Sequence, residues 1–322
     1  MDKRFTFIDL FAGIGGFRIA LEHFGGECVF SSEIDENARQ VYQKNFSELP
    51  HGDITQIHEK IIPDHDVLCA GFPCQAFSVS GKRLGFKDAR GTLFFDIARI
   101  VKKRKPKIVF LENVKNFYKH DQGKTFLVVK STLESLGYDV HFKVICSSDQ
   151  GVPQSRERIY IVAFHRKLKV RDFQFPKNAK IKRSVEDILI KLGKAEREKL
   201  QIKRKDIQFY RHDKKIENPH RPFQIGIINK GGQGERIYSI KAQAITLSAQ
   251  GGGAAAKTGA YLINGVVRRL HPKECLGLQG FPKKYKLHAN DNVSYKQLGN
   301  SVSVPVLKNI FKEIMKQTNF MH

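Results

Sequence analysis

The feature that most constrains this chain is an alternation, through its first half, of short β-branched apolar runs with amphipathic helical stretches. FTFIDLF (5–11), ECVFSSE (27–33), HDVLCAGF (65–72), PKIVFLENV (106–114), VHFKVICSS (140–148) and RIYIVAF (158–164) read as strands, with helical patterns at 17–24, 36–46 and 93–102 between them. Strands separated by helices pair in parallel through crossovers, and helices then cover both faces of the sheet. The expectation is an α/β domain built on a doubly wound, mostly parallel sheet. In such a sheet ligands bind beyond the carboxyl ends of the strands.

Beyond residue 166 the pattern breaks. Residues 166–220 hold 18 Lys/Arg against eight Asp/Glu, and 229–266 is punctuated by glycine (NKGGQGERIYS, then TLSAQGGGAAAKTGAYLINGV). A smaller, irregular, β-rich lobe is expected there, followed from Tyr295 by a helical stretch that returns to the first lobe. A length of 322 residues accommodates two domains. The formal charge of +24 points to a polyanionic partner, nucleic acid first. No apolar run reaches the length of a membrane span, and the N-terminus enters a strand pattern at once, so a cytoplasmic protein without a membrane partner is expected. Five cysteines at irregular spacing, with no C-x-x-C pair, argue against a disulfide framework and a structural metal.

In FIDLFAGIGGF an apolar strand runs into Gly13, Gly15 and Gly16 and then a helix. Glycine permits the tight turn and a close approach of backbone to ligand. Glu33 ends the next strand, placed to accept from both hydroxyls of a ribose, and Asp53 in HGDIT offers a polar group for an adenine. The spacing is not G-x-G-x-x-G and no P-loop lysine follows, so a nucleoside ligand without a pyrophosphate, such as S-adenosylmethionine, suits it better than NAD or ATP.

Cys74, in AGFPCQAFSVSG, follows a strand and a stiffening proline and opens a polar loop, a setting for an exposed thiolate nucleophile. Cys28, Cys69, Cys146 and Cys275 read instead as small buried hydrophobes. Glu112 in FLENV ends a strand on the same sheet edge, and Arg156 and Arg158 in PQSRERIY open another. Together they describe a thiolate, an acid and two cations.

FIDLFAGIGGF, GFPCQAFSVSG, LENV, QSRER, LHPKECLGLQGFP and YKQLGNSV occur in the order seen in the DNA (cytosine-5)-methyltransferases of bacterial restriction–modification systems, which this chain resembles over nearly its whole length. The resemblance implies a fold of the S-adenosylmethionine-dependent methyltransferase type. It implies a catalytic domain over 1–186, a target-recognition domain over 187–271, a hinge over 272–294 and a C-terminal segment, 295–322, that rejoins the catalytic domain. Cys74 would add to cytosine C6, Glu112 would serve N3, Arg158 the base carbonyl, and Arg156 would lie close to the thiol and backbone. Phe11, Gly13, Gly15, Glu33, Ile34, Asp53, Ile54, Pro73, Leu93, Asn300 and Ser301 would surround the donor. Ser80, Lys82, Arg83, Gln233, Arg236 and Ser248 would meet double-stranded DNA, at a GCGC site and with the target base flipped out. The protein would work as a monomer without a metal. Lys273 and Gly277 stand where the family usually has arginine, so packing around the recognition lobe is expected to differ. An RNA cytosine methylase and a DNA-binding protein without catalysis are the rival readings; intact Cys74 and Glu112 count against the second.

Overall fold

The computed structural model describes residues 4–73, 93–179, 183–210, 221–318 and 320. Cys74, Ser80, Lys82 and Arg83 lie outside them. The chain divides into two compact units, one comprising Met1–Ile145, Glu157–Pro176 and Leu307–His322, the other Cys146–Arg156 and Lys177–Val306. The stretch Cys146–Arg156 thus joins the second unit although it precedes the boundary expected at 186. Its backbone explains this: Asp149 O accepts from Ala179 N, Pro153 O from Ala244 N, and Ser155 N donates to Ala244 O.

In the first unit the order is β1 (Phe5–Leu10), α1 (Gly16–Glu22), β2 (Gly26–Ser32), α2 (Glu36–Phe46), β3 (Val67–Gly71), α3 (Leu93–Arg104), β4 (Ile108–Val114), α4 (Lys124–Ser135), β5 (Tyr138–Cys146) and β6 (Glu157–His165). The six strands form one sheet in the order β2-β1-β3-β4-β6-β5. β1 pairs in parallel with β2 and β3, β4 joins β3 in parallel, and β6 runs antiparallel to β4. Helices and a mixed sheet make this an α/β unit. The strand expected over 106–114 begins two residues late, at Ile108, and its first six residues are buried, as a strand covered on both faces requires.

Helical periodicity places the core. Phe94, Ile97, Ala98 and Val101 of α3, at i, i+3, i+4 and i+7, pack in one cluster with Ile8, Leu10, Leu68, Ala70, Val109, Leu111 and Ile161 of the sheet. α4 adds Phe126, Val129 and Leu133. Asp35 caps α2 by accepting from Ala38 N, and Lys102, Lys103 and Arg104 sit in the last turn of α3, where the helix dipole favours positive charge. Among the described residues no helix is long and apolar enough to cross a membrane.

The second unit contains α5 (Lys194–Leu200), β7 (Ile207–Phe209), β8 (Gln224–Ile228), β9 (Arg236–Ser239), β10 (Ala260–Ile263), β11 (Val266–Arg269), α6 (Pro272–Gln279) and α7 (Asp291–Asn300); α8 (Val304–Gln317) begins in it and continues in the first unit. Its five short strands form a sheet in the order β11-β10-β9-β8-β7. The sheet's apolar cluster is small, centred on Ile202, Ile228, Ile237, Ala255, Ala260 and Val267. A buried ion pair reinforces it: Arg268 donates from Nη1 and Nη2 to the two carboxylate oxygens of Glu274, each at 2.8 Å, and Glu274 is fully buried. That carboxylate also accepts from His271 N at 2.7 Å and Ile190 N at 3.3 Å. Such filling of its lone pairs offsets the desolvation of a buried charge.

Gly277 lets α6 lie directly on Ile188. A Cβ built at Gly277 would sit 2.7 Å from Ile188 Cγ2 and 2.9 Å from its Cβ. Lys273 is exposed on the same helix. The 185–188 turn occupies the space a longer side chain at position 277 would take. Gly277→Ala should destabilise the protein by about 1–3 kcal/mol through overpacking, measured as a lower urea midpoint at unchanged slope.

Candidate active site

The glycine turn shows why each of its residues is needed. Phe11 leaves β1 at φ 55°, a left-handed conformation that costs a bulky residue on the order of 1–3 kcal/mol and marks functional turns. Gly13 follows at φ 54° and Gly15 at φ 78°. The two glycines serve different ends. A Cβ on Gly15 would run into the rings of Phe46 and Tyr42, so this glycine allows α1 and α2 to pack, whereas a Cβ on Gly13 would meet nothing within 4 Å. The space beside Gly13 is open to a ligand.

Glu33 is held against that turn. Its Oε2 accepts from Gly13 N and its Oε1 from Asp35 N, both at 2.8 Å. Between Glu33 and the N-cap of α2, Ile34 projects with 71% of its surface exposed, an apolar side chain left without cover. Asp53 comes alongside because His51 bridges β2 in parallel, donating to Ser31 O and accepting from Glu33 N at 2.8 Å each. Its Oδ1 accepts from Thr55 N at 2.9 Å. Ile54, expected among the ligand contacts, is buried in the core, and its carbonyl accepts from Arg99 Nη2 at 2.6 Å. Its side chain packs.

At the ends of β3 and β4 the register sets Gly71 opposite Glu112. The antiparallel pairing of β4 with β6 brings Glu112 opposite Tyr160 and Val114 opposite Arg158. Arg158 Nε lies 3.2 Å from Glu112 Oε1, with both side chains largely buried. Asn113 Nδ2 donates to Phe72 O at 2.9 Å, which anchors the strand just before the exposed Pro73 and the position of Cys74. Sequence reasoning missed Asn113; its signal was the polar residue beside Glu112 in LENV. Leu93 begins α3.

Arg156 is bound to backbone. It is 2% exposed and belongs to the second unit, where its guanidinium donates to three backbone carbonyls: Leu247 O at 3.2 Å, Gly299 O at 3.1 Å and Ser301 O at 2.7 Å. A cation bonded in this way positions backbone. Asn300 is exposed between two of these carbonyls, and Ser301 is buried.

The glycines of the second unit bring two loops into backbone contact. A Cβ on Gly234 would strike Gly252 O, one on Gly253 would lie 3.0 Å from Gly234 O, and Ala255 N donates to Gly234 O at 2.8 Å. Gln233 is exposed on the first loop and Arg236 at the start of β9, where its Nε donates to Gly231 O at 3.2 Å. Ser248 opens the second, its hydroxyl closing a turn on Gln250 O and its amide donating to Lys257 O at 3.0 Å.

Three of the described thiols are poor nucleophiles. Burial pushes the Cys28 thiol up to about 12 and holds Cys69 and Cys275 well above the ordinary thiol range.

The profile of the C-5 cytosine-specific DNA methylases matches residues 5–316. The chain is 55% identical to the type II methyltransferase M.HhaI of Haemophilus parahaemolyticus, over 99% of this chain and 98% of that one. It is 42% identical to M.HpaII of Haemophilus parainfluenzae, over 98% and 90%. In fold it resembles a DNMT2 variant from Spodoptera frugiperda (TM-score 0.72, 22% identity, 96% of this chain and 99% of that one) and the Entamoeba histolytica methyltransferase EhMeth (TM-score 0.72, 20% identity, 97% and 98%).

The two glycines can be told apart by stability. Gly15→Ala, which meets both the aromatic rings and the left-handed backbone, should cost about 2–4 kcal/mol. Gly13→Ala should cost about 1–2 kcal/mol, from backbone strain alone. Urea unfolding of the two variants against the parent measures the difference.

Proposed function

Because the chain belongs to the C-5 cytosine-specific DNA methylases and is thereby a DNA (cytosine-5-)-methyltransferase, we propose that it methylates a flipped-out cytosine within GCGC in duplex DNA, protecting that DNA from a cognate restriction endonuclease. The observation that carries the chemistry is the Glu112–Arg158 pair, 3.2 Å apart, with Glu112 on the strand beside the one that leads to Cys74 and Arg158 on the next strand. A ring carbon that must react with an electrophile needs three things: a nucleophile to add to its neighbour, a group to manage the ring nitrogen, and a cation for the ring carbonyl. Cys74 supplies the first, Glu112 the second and Arg158 the third. The fixed pair spares the site from ordering two charged side chains as the reaction proceeds.

Cys74 Sγ adds as thiolate to C6 while Glu112 hydrogen-bonds or protonates N3, so the charge arriving with sulfur is neutralised at the ring. C5 is then nucleophilic. After methyl transfer, loss of the C5 proton and elimination of the thiolate free the base. C6 is inaccessible in a stacked duplex, so the nucleotide has to leave the helix. Ser80, Lys82 and Arg83 would accompany that step from the loop after Cys74, and Gln233 from the glycine loop of the second unit.

The site's residues fit S-adenosylmethionine as donor, which supplies an electrophilic methyl group. The open space at Gly13, the carboxylate of Glu33 beside it and the uncovered Ile34 offer backbone, ribose and apolar base contacts respectively. Phe11, Gly15, Asp53, the backbone of Ile54, Pro73, Leu93, Asn300 and Ser301 complete the proposed donor set. For the target, Arg236 and Ser248 are proposed to meet DNA, arginine being suited to guanine O6 and N7 in the major groove. The loops KGGQGERIYS and AITLSAQGGG that hold them support the GCGC reading.

Bisulfite sequencing of DNA from expressing cells should find 5-methylcytosine at the inner cytosine of GCGC; methylation only elsewhere, or only of RNA, would reject this specificity. Cys74→Ala should lose turnover while still shifting a GCGC duplex in a gel, and a duplex with 5-fluorocytosine at the target should become covalently trapped on the parent enzyme but not on this variant. Glu112→Gln should lower kcat by about 10²–10⁴-fold, the usual size of an acid–base contribution, in single-turnover assays.

A further inference from the structure

The three bonds of Arg156 join segments that the proposed function places on different ligands. Leu247 immediately precedes Ser248, proposed to meet DNA; Gly299 and Ser301 flank Asn300, proposed to meet the donor. Both polar backbone groups of Leu247 are held from the same short motif: its N–H donates to Gln154 Oε1 at 2.9 Å and its carbonyl accepts from Arg156. Gln154 Nε2 in turn donates to Leu278 O at 2.9 Å, and Thr246 Oγ1 to Ser155 O at 2.6 Å. No side chain lies between the two segments at Gly299, because a Cβ there would collide with the backbone of Ser248 and Ala249.

The chemistry explains why a guanidinium stands here. Gly299 and Ser301 lie at the carboxyl end of α7, where the last carbonyls lack intrahelical donors and carry the negative end of the helix dipole. A planar, permanently charged fork can serve several carbonyls at once, which a lysine ammonium of one point charge cannot do in the same geometry. At 2% exposure the cation has no water to fall back on. Moving either segment strips it of donors' partners in a place where an unfilled bond is costly. The two segments are therefore bound to shift together.

We propose that Arg156 is a positioning residue that couples the DNA-reading segment 246–250 to the donor-side segment 299–301, so that filling one ligand site sets the backbone of the other. The proposal rests on the functional reading above.

The test is a thermodynamic cycle with S-adenosylhomocysteine and a GCGC duplex, on the parent and on Arg156→Lys. For the parent, S-adenosylhomocysteine should tighten duplex binding by a factor within the usual allosteric range, about 5–150-fold, and the duplex should tighten S-adenosylhomocysteine binding equally. In Arg156→Lys, checked as folded by circular dichroism, the factor should fall about fivefold or more, to near unity for a small parent value, while both ligands still bind singly. A folded Arg156→Lys that keeps the parent's factor overturns the proposal, as does a parent that binds both ligands with no coupling. Should Arg156→Lys fail to fold, hydrogen exchange on the parent decides: S-adenosylhomocysteine should slow exchange of the 244–249 peptide and the duplex that of the 297–303 peptide, and absence of either effect is fatal to the proposal. A parent that binds neither ligand, or does not methylate DNA, instead refutes the functional reading and leaves a distinct signature.

Discussion

Parallel pairing of β1 with both β2 and β3 is the constraint on which the first unit depends. Because three neighbouring strands run the same way, their carboxyl ends share one edge, and each strand must hand the chain to a crossover there. The turn after β1, Glu33 after β2, and Pro73 after β3 are consequences of that one arrangement. β4 continues it and delivers Glu112 opposite Gly71. β6 reverses direction, so Arg158 enters at the start of a strand on the edge where Glu112 approaches the end of one, and the ion pair is a product of antiparallel register.

The second unit is held by different means. Its strands are three to five residues long and its sheet buries few large apolar side chains, so area burial contributes less than in the first unit. Polar groups with filled partners stand in: Arg268 with Glu274, Arg156 with three carbonyls, Gln154 with Leu247 and Leu278. Such groups are directional. They specify where each loop lies, and removing one partner leaves the other buried and unsatisfied. A unit built this way suits a surface whose loops must be placed accurately without a large core beneath them.

How far each part could be read in advance follows from the range of the forces involved. The first-lobe strands fell within one or two residues at most ends because alternation and apolar runs are local signals, and 36–46 was matched at both ends by the helix capped at Asp35. α4 escaped notice: KTFLVVKSTLES mixes β-branched Thr and Val with a modest apolar stripe, and only packing of Phe126, Val129 and Leu133 on the sheet makes a helix of it. The glycine-rich loops were legible as places of close approach. That the approaching group at Gly234 and Gly253 is each other's backbone was not.

By itself, the order of residues determined an α/β unit with a glycine turn followed by Glu33, an acid at Glu112, and a glycine-punctuated second lobe, because each of these is written in neighbouring positions. Tertiary structure alone decided that Gly13 faces open space while Gly15 faces rings, that Ile54 packs, and that of two arginines two positions apart Arg158 pairs with Glu112 while Arg156 turns to Leu247, Gly299 and Ser301. Residues two apart in an extended strand share a face, but Arg156 lies just before β6 begins at Glu157, so the two side chains diverge there, and the partners each meets are residues about 50 to 145 positions away in the chain. No local pattern carries that information.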